Sequence, residues 1–301
     1  MSYFGFLLAF IAPPIVVLAL LLALRARARP QLTAPGSAGR VSQPLLVALL
    51  VVATVYTTPW DNHLVASHVW SYYPALVSGI TLGWIPLEEL LFFPLQTLLV
   101  AQWYAWVTPH VAIPAVSANG SHSVRLISSS IAVCLWLFAG IVLLAGWRPG
   151  TYLGWELIWA LPPIILQLSV GADILWRDRR LLVAAILPAT LYLSAVDALA
   201  IHLGIWTIDG HQSTGLRIGG TLPLEEAVFF LLTTTLVIIG LHLGRPLDAR
   251  RRLLAPLSKA PLRSLSRQRG GLVSEGAGSS SQSRCHDGQR DYEGDGELAG
   301  G

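Results

Sequence analysis

The chain has 301 residues, 53% of them hydrophobic and only 12% charged, against roughly a quarter charged in a soluble domain. Its formal charge of +3 sits in clustered arginines, which speaks for membrane orientation and against nucleic acid as a partner. Two cysteines, Cys134 in an apolar run and Cys285 in a polar tail, support neither a disulfide framework nor a metal cluster.

Taken in chain order, the first apolar run covers residues 3–24. It has no basic n-region and meets the roughly 20 residues needed to cross a bilayer, so it is expected to be a retained helix rather than a cleaved leader. Further runs follow near 42–60, 86–107, 125–147, 152–171, 181–203 and 223–244, which gives seven spans. The second ends at Pro59-Trp60-Asp61, where the aspartate suits a turn as well as a site. The third opens on Pro-Leu-Glu-Glu-Leu-Leu-Phe-Phe from Pro86, and the seventh on Pro-Leu-Glu-Glu-Ala-Val-Phe-Phe from Pro223. The fifth contains Glu156 and the sixth Asp197, both costly in hydrocarbon. His63, His68 and His202 form no ligand grouping, and Trp60, Trp70, Trp84 and Trp206 read as interfacial belt residues. From about residue 255 the chain turns to Ser, Gly and Arg, the signature of a disordered tail.

Arginines 25, 27, 29 and 40, then 177, 179 and 180, then 245 and 250–252, all fall on one side of a seven-span arrangement. The opposite loops carry Arg148 and Arg217 alone, so the amino terminus is expected outside and the carboxy terminus in the cytoplasm of a multi-pass protein of the cell membrane. Both glutamate pairs then lie near the outer ends of their spans.

The sequence also repeats internally. Tyr56, Asp61 and Trp70 match Tyr192, Asp197 and Trp206 at a spacing of 136, while the Pro, Glu and Phe positions of the two motifs match at 137, so one loop residue is inserted. Tyr3 and Pro13-Pro14 match Tyr152 and Pro162-Pro163 at 149. The expected fold is an all-α membrane protein: two parallel three-helix repeats joined by a linking helix, a 3+1+3 layout. Its parts are a first repeat over 1–110, a linker with the fourth helix over 111–150, a second repeat over 151–245 and a cytoplasmic tail over 246–301. The segment 205–223 has β-type residues around a glycine-rich turn and suggests a small hairpin over a cavity mouth.

Pro-Leu-Glu-Glu is also ordinary helix-start grammar, since Pro loses no donor in the first turn and Glu complements the helix dipole. Recurrence of the motif with the same Phe-Phe spacing and a preceding aspartate favours a site. Residues four apart share a helix face, which pairs Glu88 with Phe92, Glu89 with Phe93, Glu225 with Phe229 and Glu226 with Phe230. A desolvated carboxyl beside a second one tends to keep its proton and to act as a donor. Aromatic faces beside it would stabilise a cation formed by proton transfer to an alkene.

On these residues the sequence resembles the heterodimer-type integral-membrane lycopene cyclases, in the form with both subunits fused into one chain. Their Pro-x-Glu-(Glu/Asp)-x-x-Phe-Phe motif occurs at Pro86–Phe93 and again at Pro223–Phe230, and Trp70, Gly79 and Gly83 with Trp206, Gly215 and Gly219 fit as well. The resemblance implies acid–base cyclisation of lycopene or a related acyclic carotenoid to ionone-type rings, β above all, without redox change and without a cofactor. It implies Glu88, Glu89, Glu225 and Glu226 as acid and base candidates, tuned by Asp61 and Asp197. Phe92, Phe93, Phe229 and Phe230 would line the cation's path, with Trp70, Trp206, Tyr56 and Tyr192 as further substrate-binding candidates. Membrane lipid and other carotenoid-pathway enzymes are the expected partners. No dinucleotide fingerprint occurs, so no nucleotide is expected. The rival from another class is a SWEET-like 3+1+3 transporter of a small solute, which the scarcity of Asn and Gln in the spans disfavours. A retinal protein is set aside because Lys259, the only lysine, is in the tail.

Overall fold

A computed structural model describes residues 1–29, 41–111 and 121–244. The expectations for the tail, with Lys259 and Cys285, and for Arg40 and the arginines after 244 fall outside the described residues. Among the described residues, seven helices are long and apolar enough to cross a membrane. They are α1 (Tyr3–Ala28), α2 (Gln43–Ala66), α3 (Leu87–Val107), α4 (His122–Leu144), α5 (Thr151–Arg177), α6 (Arg179–His202) and α7 (Leu224–Leu243).

Local chemistry explains several of these boundaries. Ser2 caps α1 by accepting from the Gly5 amide at 3.2 Å. A π-turn over Leu7–Ile11 precedes the Pro13-Pro14 pair, where the ladder lacks two donors. The run expected to stop at residue 60 continues as helix to Ala66, with Pro59 inside it. Prolines are tolerated there because neighbouring helices and side chains satisfy the freed groups. As a result Asp61 lies within a helix, 1% exposed, instead of in a turn.

Helices α3 and α7 touch along the centre, α3 packed on α1 and α2, and α7 on α5 and α6; α4 rests on α5. Outside this core, Leu8, Val55, Leu126, Leu144 and Leu191 are exposed, as expected of side chains that meet lipid. At the C-terminal ends of α3 and α7 the Tyr104 hydroxyl meets His242 Nδ1 at 2.8 Å, and His242 Nε2 meets Asp178 at 2.9 Å. Burial would raise the Asp178 carboxyl, but the Arg177 guanidinium and His242 outweigh it and hold it at about 2.

Short strands cover the opposite end. β1 (Trp70–Tyr72) pairs antiparallel with a later strand, Trp206–Ile208, which is numbered β4 in chain order. Between them β2 (Thr81–Leu82) and β3 (Ile85–Pro86) form a hairpin, and β5 (Arg217–Ile218) and β6 (Leu222–Pro223) form its counterpart. The segment 205–223 therefore does contain a hairpin, but its first strand leaves to pair across the two halves. The first hairpin turns through two residues, Gly83 and Trp84, and the second through three, Gly219, Gly220 and Thr221. That extra turn residue is the insertion that shifts the repeat spacing from 136 to 137. Gly83 has φ +69° and lies against the Asn62 side chain, whose Oδ1 accepts from the Trp84 amide at 2.6 Å.

Candidate active site

Helices α3 and α7 each start directly after an extended proline, Pro86 or Pro223, which puts both glutamate pairs in a first turn. Neighbouring helix positions differ by about 100° in direction, so the two members of a pair cannot face the same space. Glu88 turns to its own loop and accepts from the Ser78 amide at 2.6 Å and the Ser78 hydroxyl at 3.1 Å. Glu225 does likewise with the Thr214 amide at 2.6 Å. Ser78 and Thr214 are themselves 136 apart, so this is the same contact made twice.

The other two acids turn inward. Glu89 Oε2 accepts from the Tyr3 hydroxyl at 2.6 Å, and Glu226 Oε1 from the Tyr152 hydroxyl at 2.8 Å. Both line one chamber of about 450 Å³, together with Asp61 and Asp197. The four acids expected in one place are thus divided: Glu89 and Glu226 in the chamber, Glu88 and Glu225 serving the loops above it.

Phe92, Phe93, Phe229 and Phe230 all line the chamber, as do Trp70 and Trp206. Phe92 meets Phe230 edge to face, with ring centres 6.2 Å apart. On one side an aromatic stack adjoins them: Trp60 lies 4.5 Å from Trp159 and 5.8 Å from Phe229, at interplanar angles of 19° and 4°. Rings in this arrangement present π faces to whatever occupies the chamber. Tyr72 also lines it, lies toward Glu89 and accepts from Trp70 Nε1 at 3.2 Å. Burial, and then the nearby Glu89 and Asp61, push its phenol well above the ordinary range, so it stays a proton donor.

Two candidates stand elsewhere. Tyr56 donates to the Trp159 carbonyl at 2.8 Å and Tyr192 to the Phe10 carbonyl, where both act as helix-to-helix ties. Glu156 is fully buried, with neither oxygen hydrogen-bonded among the described residues. No group of three His, Cys, Asp or Glu among the described residues could hold a metal ion.

Sequence reasoning passed over Tyr3 and Tyr152 as site residues, although their fixed spacing of 149 was the available signal. It also read Trp60 as a belt residue, whereas Trp60 is 8% exposed inside the core. Nothing in a local window distinguishes a buried indole from an interfacial one.

The family model described as lycopene cyclase matches residues 2–107 and 149–243. The chain is 39% identical over 253 residues to a lycopene beta-cyclase of Halobacterium salinarum, covering 83% of this chain and 99% of that protein. It is 35% identical over 201 residues to a bifunctional lycopene cyclase/phytoene synthase of Podospora anserina, 64% of this chain and 34% of that protein. A bifunctional protein of the same description from Gibberella fujikuroi is 35% identical over 200 residues. No solved structure matches.

Proposed function

The chain belongs to the lycopene cyclase family, and from that premise we propose that its chamber closes ionone-type rings, β in particular, on lycopene by proton transfer in and out of a single site. The observation that carries this reading is the pair of equivalent buried acids, Glu89 and Glu226, each held by a tyrosine in one ring-lined space.

The reaction needs a proton in at C2 of the terminal alkene and a proton out at C6. Protonation leaves a cation at C1; the C5–C6 double bond attacks it, forms the C1–C6 bond and leaves the charge at C5. Loss of the C6 proton completes the ring, so protons balance and no electrons are exchanged. Glu89 accepts from the Tyr3 phenol and has the Tyr72 phenol nearby, and phenol donors stabilise a carboxylate, which suits the base. Glu226 has one phenol and suits the acid. Trp60, Phe229 and their neighbours offer π faces to the cation, worth about 0.5–2 kcal/mol each when desolvated. Asp61, with both oxygens free of hydrogen bonds among the described residues, and Asp197 line the same chamber, which supports a role for them in passing the proton back from base to acid.

The 3+1+3 layout is part of the same proposal. Equivalent acids, tyrosines, loop contacts and hairpins support it, and so does a family match that skips residues 108–148. In this reading the first repeat is 1–110, the linker 111–150 and the second repeat 151–245. The arginine distribution supports an outer amino terminus in the cell membrane, with the chamber near the outer face. The relatives lend the transporter alternative no support.

Expression in lycopene-accumulating cells tests the reading. Cyclic pigments are expected in the extract; lycopene left unchanged by a well-inserted protein would overturn it.

A further inference from the structure

A second cavity, of about 680 Å³, lies between α2 and α5, with α3 and α7 behind it. Phe93 and Phe229 belong to its wall and to the wall of the acidic chamber, so the two spaces adjoin. Its lining is apolar apart from a few hydroxyl and amide groups, and it reaches the lipid-facing surface at Val52 and Tyr56, which are 56% and 41% exposed. Resting on the proposed cyclase reading, we infer that this seam holds the polyene chain of the substrate while the end group sits in the chamber, and that the matching seam between α1 and α6 does not serve this purpose.

The two seams differ by an exchange of side-chain volume beside the cavity. Trp103 on α3 and Gly240 on α7 are equivalent positions, 137 apart, and Ala185 on α6 answers Leu49 on α2, 136 apart. Trp103 packs toward α6, its Nε1 donating to the Ala185 carbonyl at 3.0 Å. On the α2–α5 side glycine stands in its place, and a Cβ there would meet Leu49 at 3.2 Å and Gln167 at 3.4 Å. An indole is much larger than the space that Leu49 gives back, so the exchange narrows the α1–α6 side relative to the α2–α5 side, which holds the cavity. A rod-like, uncharged, conjugated hydrocarbon arriving from lipid is the ligand that such a slot fits. A polar solute would leave the wall's apolar area unsatisfied. One slot also means one substrate end at a time: the polyene must leave and return reversed for its second ring, with a monocyclic pigment released in between.

The direct test uses the unaltered full chain in lipid nanodiscs with an acyclic polyene bearing a photoreactive group near its middle. Label in residues 49–57 or 159–167 is expected. Label confined to α1 or α6 would overturn the assignment, whatever the turnover. Loss of cyclisation by the unaltered protein with label in the seam would instead sink the cyclase reading and leave the binding site standing. In a second arm, Ala53→Trp plugs the slot and Ala189→Trp plugs its counterpart. Bound pigment per folded chain should fall roughly tenfold for the first only. An equal fall for both, or none for Ala53→Trp, would also overturn the assignment.

Discussion

The two halves of the molecule hold the same acid on the same tyrosine, yet surround it differently. Glu89 has Tyr3 and also Tyr72, whereas the residue 136 after Tyr72 is Ile208, and Glu226 relies on Tyr152 alone. Behind Tyr152, on the same face of α5, stands buried Glu156, where the first half has Leu7. Trp60 and Trp159 build an indole stack on one side, and their counterparts are Val196 and Phe10. The repeated sequence supplies two carboxyls at matching places, but a cyclisation needs one that gives a proton and one that takes it. On the proposed cyclase reading, the unequal neighbours are the feature that would separate the roles.

The largest effect is expected within each glutamate pair. Glu89→Gln and Glu226→Gln should each lower turnover by about 10²–10⁴-fold, the usual worth of general acid–base catalysis. Glu88→Gln and Glu225→Gln should retain most of it, as measured by pigment formation per folded protein. Equal losses from all four would erase the distinction between chamber acids and loop acids.

Next come the tyrosines. Tyr72→Phe removes a donor from the Glu89 side only, and a charge-assisted hydrogen bond is worth about 1.5–3 kcal/mol, so a loss of roughly tenfold or more is expected. Turnover unchanged by this variant would remove the asymmetry assigned to the base. Trp60→Leu should slow turnover by several-fold through the lost cation contact, about 0.5–2 kcal/mol, with little change in pigment binding; a change in binding alone would make the ring a wall and not a stabiliser.

The smallest effects are on stability. Glu88→Gln removes the charge that assists the Ser78 contacts at a cost of about 1 kcal/mol, visible as a slightly lower melting temperature. Asp178 tests the far end, which has Ser42 at the matching place in the first half. Its carboxyl is held at about 2, below the ordinary range, so its contribution is complete above about pH 4 and is lost as the pH falls through 2. The melting-temperature gap between the parent and Asp178→Asn should close over that window; a gap constant across it would contradict the assignment.

Much of the fold was legible because crossing a membrane demands long apolar runs, and the seven spans follow from length and hydropathy alone. The inserted hairpin residue was readable from the shift in repeat spacing. The direction of each glutamate was not: the Phe-Phe spacing puts acids and rings on shared faces, but which member of Glu88-Glu89 turns inward depends on how α3 is rotated by its neighbours. Asp61 was left open between a turn and a site because Pro59 reads as a helix breaker, a signal that the packed interior overrides by carrying α2 on to Ala66. Tyr3 and Tyr152 were visible as repeat markers, while their role appears only once α1 and α5 are laid beside α3 and α7.

The most direct measurement is pigment analysis of cells that accumulate lycopene and express Glu89→Gln or Glu226→Gln singly. If both halves build one chamber, either change stops ring formation altogether, monocyclic product included. A variant that still made monocyclic pigment at near half the parent's rate would mean two independent sites and contradict the account.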